Sequence, residues 1–145
     1  MTIEYIAGFF DGEGTIQITG NRVRLSLPQT HEGVLIQVKD YFETGTVSKL
    51  KKRQDHWKEA WCYYVTSNEA CLEVLTRLYP HLIVKQDKAI EALKVLVEYV
   101  KGKEQWSKKV DQAVLLVKEG KSYREAQRET GVSRQTICNI LKTVH

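Results

Sequence analysis

Tyr5-Ile6-Ala7-Gly8-Phe9-Phe10-Asp11-Gly12-Glu13-Gly14 is the stretch on which the reading of this 145-residue chain turns. It begins as an apolar helix and ends in two acids separated and followed by glycine. Ala7 and Gly8 are small neighbours on that helix. They remove the bulk that holds packed helices about 8–10 Å apart. The helix is therefore expected to pack closely on another helix. Gly12 and Gly14 permit backbone conformations that other residues resist. A sharp turn off the helix end is expected, with Asp11 and Glu13 held in the bend. A carboxylate there faces the negative end of the helix dipole, which is unfavourable. A bound cation would offset that cost, so the stretch doubles as a candidate hard-metal site.

Working outward, Thr15 to Thr19 alternates, with Ile16 and Ile18 on one face and Thr15, Gln17 and Thr19 on the other. Gly20-Asn21 signals a turn. Arg22 to Leu27 alternates again, with Val23, Leu25 and Leu27 set against Arg22, Arg24 and Ser26. This predicts an antiparallel hairpin with one wet face. Pro28 is expected to stop the second strand or mark an edge. Glu32 to Phe42 has helical spacing through Val34, Leu35, Val38 and Phe42, and Gly45 closes it. Strands are expected over Thr46 to Arg53 and Lys58 to Ser67. Lys49, Lys51, Lys52 and Arg53 are basic on both parities, so the facing of the third strand stays open. Asn68 is expected to cap a helix that Pro80 breaks. A last helix runs from about Lys85 to Val100, and Gly102 ends it. The order is αββαββα plus a helix. That is an α+β fold in which a four-stranded antiparallel sheet carries helices on one face and polar, basic residues on the other.

Beyond Gly102 the character changes. Residues 1–100 carry 12 Lys/Arg against 13 Asp/Glu, whereas residues 101–145 carry 10 against 5. A basic tail suits a polyanionic partner. Ser107 to Lys118 has an apolar stripe, and Gly120 breaks it. Ser122-x-x-Glu125 is a capping box that opens a short helix to Thr130. Gly131-Val132 makes a tight turn, and Ser133 caps a further helix carrying Ile137, Ile140 and Leu141. Ala126, Gly131 and Ile137 stand at helix-turn-helix spacing. The segment resembles the trihelical module of recombinases and phage regulators. Its second helix would present Arg134, Gln135, Thr136 and Asn139 to base edges or phosphates. The alternative is a small helical cap over the first domain. The expected division is residues 1–101 and residues 102–145.

Composition narrows the setting. Hydrophobic residues make up 42% and charged residues 28%, as in a soluble globular protein. No apolar run approaches about 18 residues, so no transmembrane helix and no membrane partner are expected. Glu4 and Asp11 flank the first apolar stretch and no basic region precedes it, which argues against a secretion signal. Three cysteines, Cys62, Cys71 and Cys138, show no metal-ligand spacing. They read as reduced, mostly buried thiols, which suits an intracellular compartment.

Ile6 to Gly14, IAGFFDGEG, resembles the signature of the LAGLIDADG homing endonucleases. The departures are Phe9 and Phe10 for aliphatics, Gly12 for Ala and Glu13 for the second Asp. A second match, Leu75 to Gln86, resembles the leucine-rich, proline, then lysine segment of single-motif members. The resemblance covers about residues 1–101. It implies a half-saddle of the αββαββα type and a homodimer joined through the first helices, with Ile6, Ala7, Gly8, Phe10 and Asp11 at the interface. It implies Mg²⁺, or another divalent cation, held by Glu13 with help from the Gly12 carbonyl. Glu13 then has a catalytic role, with Lys85 stabilising phosphate charge and Gln29 orienting a water. Asp11 would be the less essential acid. Mg²⁺ keeps several waters and often uses one or two carboxylates, so one acid per subunit suffices where two subunits meet.

The partner so implied is double-stranded DNA, cut at a long, roughly palindromic site. Thr15, Gln17, Thr19, Arg22, Arg24 and Ser26 would line the major groove, joined by Lys49 and Lys51 from the third strand. Two other classes stay open. One is a non-catalytic DNA-binding regulator on the same scaffold. The other is an RNA maturase that assists the splicing of an intron.

Overall fold

The computed structural model describes residues 1–143. Helix α1 spans Ile3–Glu13 and takes in Gly12. Thr2 starts it, its hydroxyl accepting a hydrogen bond from the Tyr5 N–H at 3.2 Å. That satisfies one of the donors every helix start leaves over. The expected glycine turn at the other end is absent. Gly14 leaves the helix in extended backbone, φ −78° and ψ 161°, which any residue adopts. Its requirement for glycine is spatial: a Cβ there would lie 2.4 Å from the Phe10 ring.

Four strands follow as two hairpins. β1 (Thr15–Thr19) and β2 (Arg22–Gln29) turn at Gly20, whose φ of +61° favours glycine. β3 (Thr46–Lys49) and β4 (Trp61–Val65) form the second pair. The antiparallel sheet runs β1-β2-β4-β3. Ile16 lies opposite Leu25, Leu25 opposite Val65, and Val47 opposite Tyr63. These residues share one face, against which α1, α2 (Glu32–Phe42) and α3 (Asn68–Leu78) pack. Leu25, Leu27, Leu35 and Leu75 are each at most 2% exposed. Burying one such side chain contributes about 1.5–3 kcal/mol, more than an exposed ion pair supplies. The apolar face therefore fixes the register.

One local expectation narrows to its second alternative, an edge, and two are corrected. Pro28 lies inside β2, opposite Cys62. β1 accompanies β2 only as far as Ser26, so beyond that point β2 has a free edge that tolerates proline. β3 stops at Lys49 and β4 starts at Trp61. Residues 51–59 form an exposed loop in which even Trp57 stays 47% exposed. Ser67, not Asn68, caps α3, accepting from the Ala70 N–H at 3.2 Å. Asn68 is buried instead. Its side-chain oxygen accepts from the Val23 N–H at 3.1 Å, and its amide donates to the Asn21 carbonyl at 2.8 Å. It fastens the first hairpin to α3.

A short 3₁₀ turn over Tyr79–His81 leads to α4, which spans Gln86–Lys118. The expected stop at Gly102 does not occur. One glycine costs a helix about 1 kcal/mol relative to alanine, too little to end this one. The chain divides into two units, Met1–Glu98 and Tyr99–His145. In the first, Ala89, Ala92 and Leu96 join the main core. In the second, Val110 and Ala113 pack with Ala126, Val132 and Ile137. Every residue from Lys101 to Lys109 is exposed. α5 (Tyr123–Thr130) opens with the expected capping box of Ser122 and Glu125 and ends at Gly131, φ +77°. α6 (Arg134–Thr143) follows, with the Ser133 hydroxyl accepting from the Thr136 N–H at 3.2 Å.

Candidate functional site

The end of α1 gathers the two motif acids and one lysine. Glu13 is the last helical residue and is exposed. Asp11 is engaged within the chain. Its Oδ2 accepts from the Ile83 N–H at 2.7 Å and its Oδ1 from the Lys85 N–H at 3.0 Å. The Lys85 Nζ in turn donates a short hydrogen bond to the Asp11 backbone carbonyl. Burial pushes the Asp11 carboxyl up, but bonds from the backbone amides of Ile83, Lys85 and Val84, with the Lys85 charge, outweigh it. The net effect holds Asp11 below the usual carboxylate range. Lys85 is thus brought, from 74 residues away in sequence, to the acid-bearing end of α1.

The donors fit a hard cation only in part. Among the described residues no three His, Cys, Asp or Glu side chains cluster around one point. Glu13 offers one carboxylate. The last four carbonyls of a helix lack intrahelical donors, and Gly12 belongs to that set in α1. One carboxylate and one carbonyl per chain suit a magnesium-like ion that keeps water and takes further ligands from elsewhere. Gln29 stands apart. Its Oε1 accepts from the Thr30 N–H at 2.7 Å, and it lines a cleft with Met1, Tyr5, Phe9 and His31. Neither Glu13 nor Lys85 borders that cleft.

The expected interface residues of α1 require correction. Ile6, Ala7 and Phe10 are 1%, 0% and 4% exposed within a single chain, so they belong to its own core. Asp11 is tied to the segment before α4. Of the five, Gly8 alone lies on the outer face. That face carries Tyr5, stacked on Phe9 at 6.4 Å, together with Gly8 and Gly12. A Cβ added at either glycine would meet nothing within 4 Å. The helix offers small residues four apart, Gly8 and Gly12, in place of the expected neighbours Ala7 and Gly8, and on the opposite side from Ala7.

The outer face of the sheet takes its membership from the register. Thr15 opposes Ser26, Gln17 opposes Arg24, and Thr19 opposes Arg22. All six residues share the face away from the helices, five of them exposed and Ser26 half-buried. Lys49 does not join them. It lies opposite Trp61, on the parity of Val47 and Tyr63, and its Nζ pairs with Glu59 at 2.9 Å. Lys51 is in the exposed loop. Sequence reasoning missed Thr46, Ser48 and Tyr64. Thr46 opposes Tyr64 and Tyr64 opposes Ser26, which puts them on the outer face. Their signal was the parity of Val47 and Val65, hidden by the run of aromatics. A hydrogen bond with Cys62, together with burial, raises the Tyr64 hydroxyl above its usual range, so it stays protonated.

In the second unit, Arg134, Gln135 and Asn139 are exposed on α6 and Thr136 is half-buried. Gln135 donates to Asn139 at 2.9 Å, and the hydroxyls of Thr136 and Ser133 lie 2.7 Å apart. Ala126, Val132 and Ile137, fully buried, hold α6 in place. Cys62 and Cys71 are buried and Cys138 half-buried, all unpaired. Among the described residues, no helix is long and apolar enough to cross a membrane.

Comparison with known proteins places these features. The sequence matches none of the curated proteins. Solved structures share the fold. The homing endonuclease I-CvuI, solved in complex with DNA, is 24% identical with a TM-score of 0.56, over 90% of this chain and 94% of that one. The archaeal intron-encoded homing endonuclease I-Vdi141I, also solved with DNA, is 18% identical with a TM-score of 0.59, over 97% and 94%. The homing endonuclease I-TnaI is 15% identical with a TM-score of 0.59, over 100% and 99%. A homeodomain-like family profile matches residues 112–145, the helix-turn-helix segment. A LAGLIDADG-like family profile matches residues 1–79, which hold α1, the sheet, α2 and α3. The chain belongs to the LAGLIDADG family.

Proposed function

We propose that this protein is a site-specific double-strand DNA endonuclease that acts as a homodimer and depends on Mg²⁺. The observation that carries the reading is the end of α1, where Glu13 is exposed and the Lys85 ammonium is held on the Asp11 carbonyl two residues before it, just ahead of the polar face of β1. A divalent cation held by Glu13 and the Gly12 carbonyl would activate water and neutralise phosphate charge. Lys85 contributes a positive charge near the scissile phosphate. Gln29 orients the attacking water, which requires its side chain to leave both Thr30 and the separate cleft it lines.

The homodimer rests on the outer face of α1. Gly8 and Gly12 let a second copy of the helix approach closely. Tyr5 at 53% exposure, Ile83 at 86% and Val84 at 77% are large apolar side chains left in water by one chain. A two-fold contact through this face would bring two copies of Glu13 together. Such symmetry is mirrored in a roughly palindromic site. Thr15, Gln17, Thr19, Arg22, Arg24 and Ser26 contact the major groove, and Lys51 the flanking backbone. Residues 1–101 form the nuclease domain. Residues 102–145 form a DNA-binding module that reads flanking sequence through Arg134, Gln135, Thr136 and Asn139. The protein then works inside the cell, where its DNA is.

Wild type and Glu13→Gln, incubated with randomised duplexes in Mg²⁺ or Ca²⁺, test this reading. The expected result is cutting by wild type in Mg²⁺ alone, at the centre of a near-palindromic bound site. Specific binding by both proteins without cutting would leave a non-catalytic regulator. Enrichment of no duplex would turn attention to structured intron RNA.

A further inference from the structure

We propose that Asp11 is a positioning residue that acts through Lys85 and is neither a metal ligand nor a base. The proposal rests on the endonuclease reading for its catalytic consequence and on geometry alone for the clamp itself.

Lys85 occupies the start of α4, since its carbonyl accepts from the Ala89 N–H at 2.9 Å. A residue in that position usually caps its own helix with a side-chain acceptor. Lysine has none. Asp11 comes from another helix and fixes the residues that lead into α4, one oxygen accepting from the Ile83 N–H and one from the Lys85 N–H. The exchange is reciprocal. The Lys85 ammonium lies on the Asp11 carbonyl, at the negative end of α1. Asp11 holds the entry to α4 and Lys85 the exit of α1.

Within a single chain, packing does not hold this segment in place of Asp11. Ile83 and Val84 are 86% and 77% exposed, and only Leu82, at 2%, is anchored in the core. In the single chain the course of the backbone between Leu82 and Gln86 therefore rests mainly on the bonds that Asp11 accepts, with the Gln86 side-chain amide donating to the Tyr79 carbonyl at 3.2 Å. Both carboxylate oxygens are committed to those bonds. The Lys85 ammonium has three donors, of which the Asp11 carbonyl takes one. The other two remain for a phosphate.

An amide at position 11 keeps one acceptor and turns a donor toward an N–H, so Asp11→Asn should release the segment while altering little volume. The test compares wild type, Asp11→Asn, Lys85→Met and the double variant, all as full chains. Single-turnover cutting in Mg²⁺ and affinity in Ca²⁺ are measured on the duplex that wild type cuts. Amide hydrogen exchange at Ile83 and Lys85 is measured without DNA. Asp11→Asn should slow cutting by about 10–100-fold, the scale of a misplaced catalytic group, with affinity unchanged. Adding Lys85→Met should cost no more than Lys85→Met alone. Exchange at the two amides should quicken while the sheet stays protected.

Additive losses in the double variant, a matching loss of affinity or an unchanged rate would each overturn the proposal. If wild type cuts nothing, the endonuclease reading fails by itself, and hydrogen exchange still decides the clamp. Unchanged exchange in Asp11→Asn would then sink it. Should Asp11→Asn not fold, Asp11→Glu carries the same comparison, with the charge kept and the reach changed.

Discussion

Helix α1 and the Lys101–Lys109 stretch of α4 are both helical and both contain glycine, yet different forces hold them. α1 commits Ile6, Ala7 and Phe10 to the core and Asp11 to the segment before α4. Its glycines mark places where another group comes close or could come close. From Lys101 to Lys109 no side chain is buried, and Gly102 has open space around it. Apart from an exposed Trp106 the stretch is polar, and such a helix keeps its shape through local propensity and local side-chain pairing, as where Lys103 lies over the Tyr99 ring. The same residue type thus signals close approach in one place and nothing but a local cost in the other.

Substitutions should separate the two regimes. Ile6→Ala, in the core, should cost about 2–5 kcal/mol, seen as a lower urea midpoint with an unchanged slope. Gly14→Ala should come next, at about 1–3 kcal/mol, because the new methyl meets the buried Phe10 ring. A neutral result there would mean that the ring can move and that the tight corner has no structural role. Gly8→Ala and Gly102→Ala should both stabilise an isolated chain, by up to about 1 kcal/mol. They should part company in association. Gly8→Ala should weaken the homodimer in sedimentation, whereas Gly102→Ala should leave it unchanged. Equal sedimentation of the two variants and wild type would argue against the α1 face as the contact between copies.

The contrast also explains what could be read in advance. Alternation in Thr15–Thr19 and Arg22–Leu27 reflects one buried and one open face, so the hairpin and the six outer residues were legible. The capping box at Ser122 and the turn at Gly131 were legible because each is a local interaction. What escaped was decided by distant partners. Ala7 and Gly8 are both small, and only the position of the sheet selects which of them faces outward. Lys49 looked like a groove residue until its pairing with Trp61 fixed its parity. Asn68 suits a cap by residue type, but its partners are at the other hairpin, 45 and 47 residues away. At the candidate site the motif identified Glu13. The commitment of Asp11 to Ile83 and Lys85 depends on a contact spanning more than seventy residues. No periodicity carries such information.

The strand order β1-β2-β4-β3 has a consequence in time. Each hairpin closes over a short span, but the central seam joins Gln29 to Trp61 and Leu25 to Val65. Loop-closure entropy falls mainly on that seam. Two hairpins that form early and a midline that zips late are the expected order of events. Asn68, bonded to both Asn21 and Val23, sits where the late step closes. Until it docks, the sheet is two halves with unpaired inner edges, and the nascent chain is then most exposed to pairing with a neighbour.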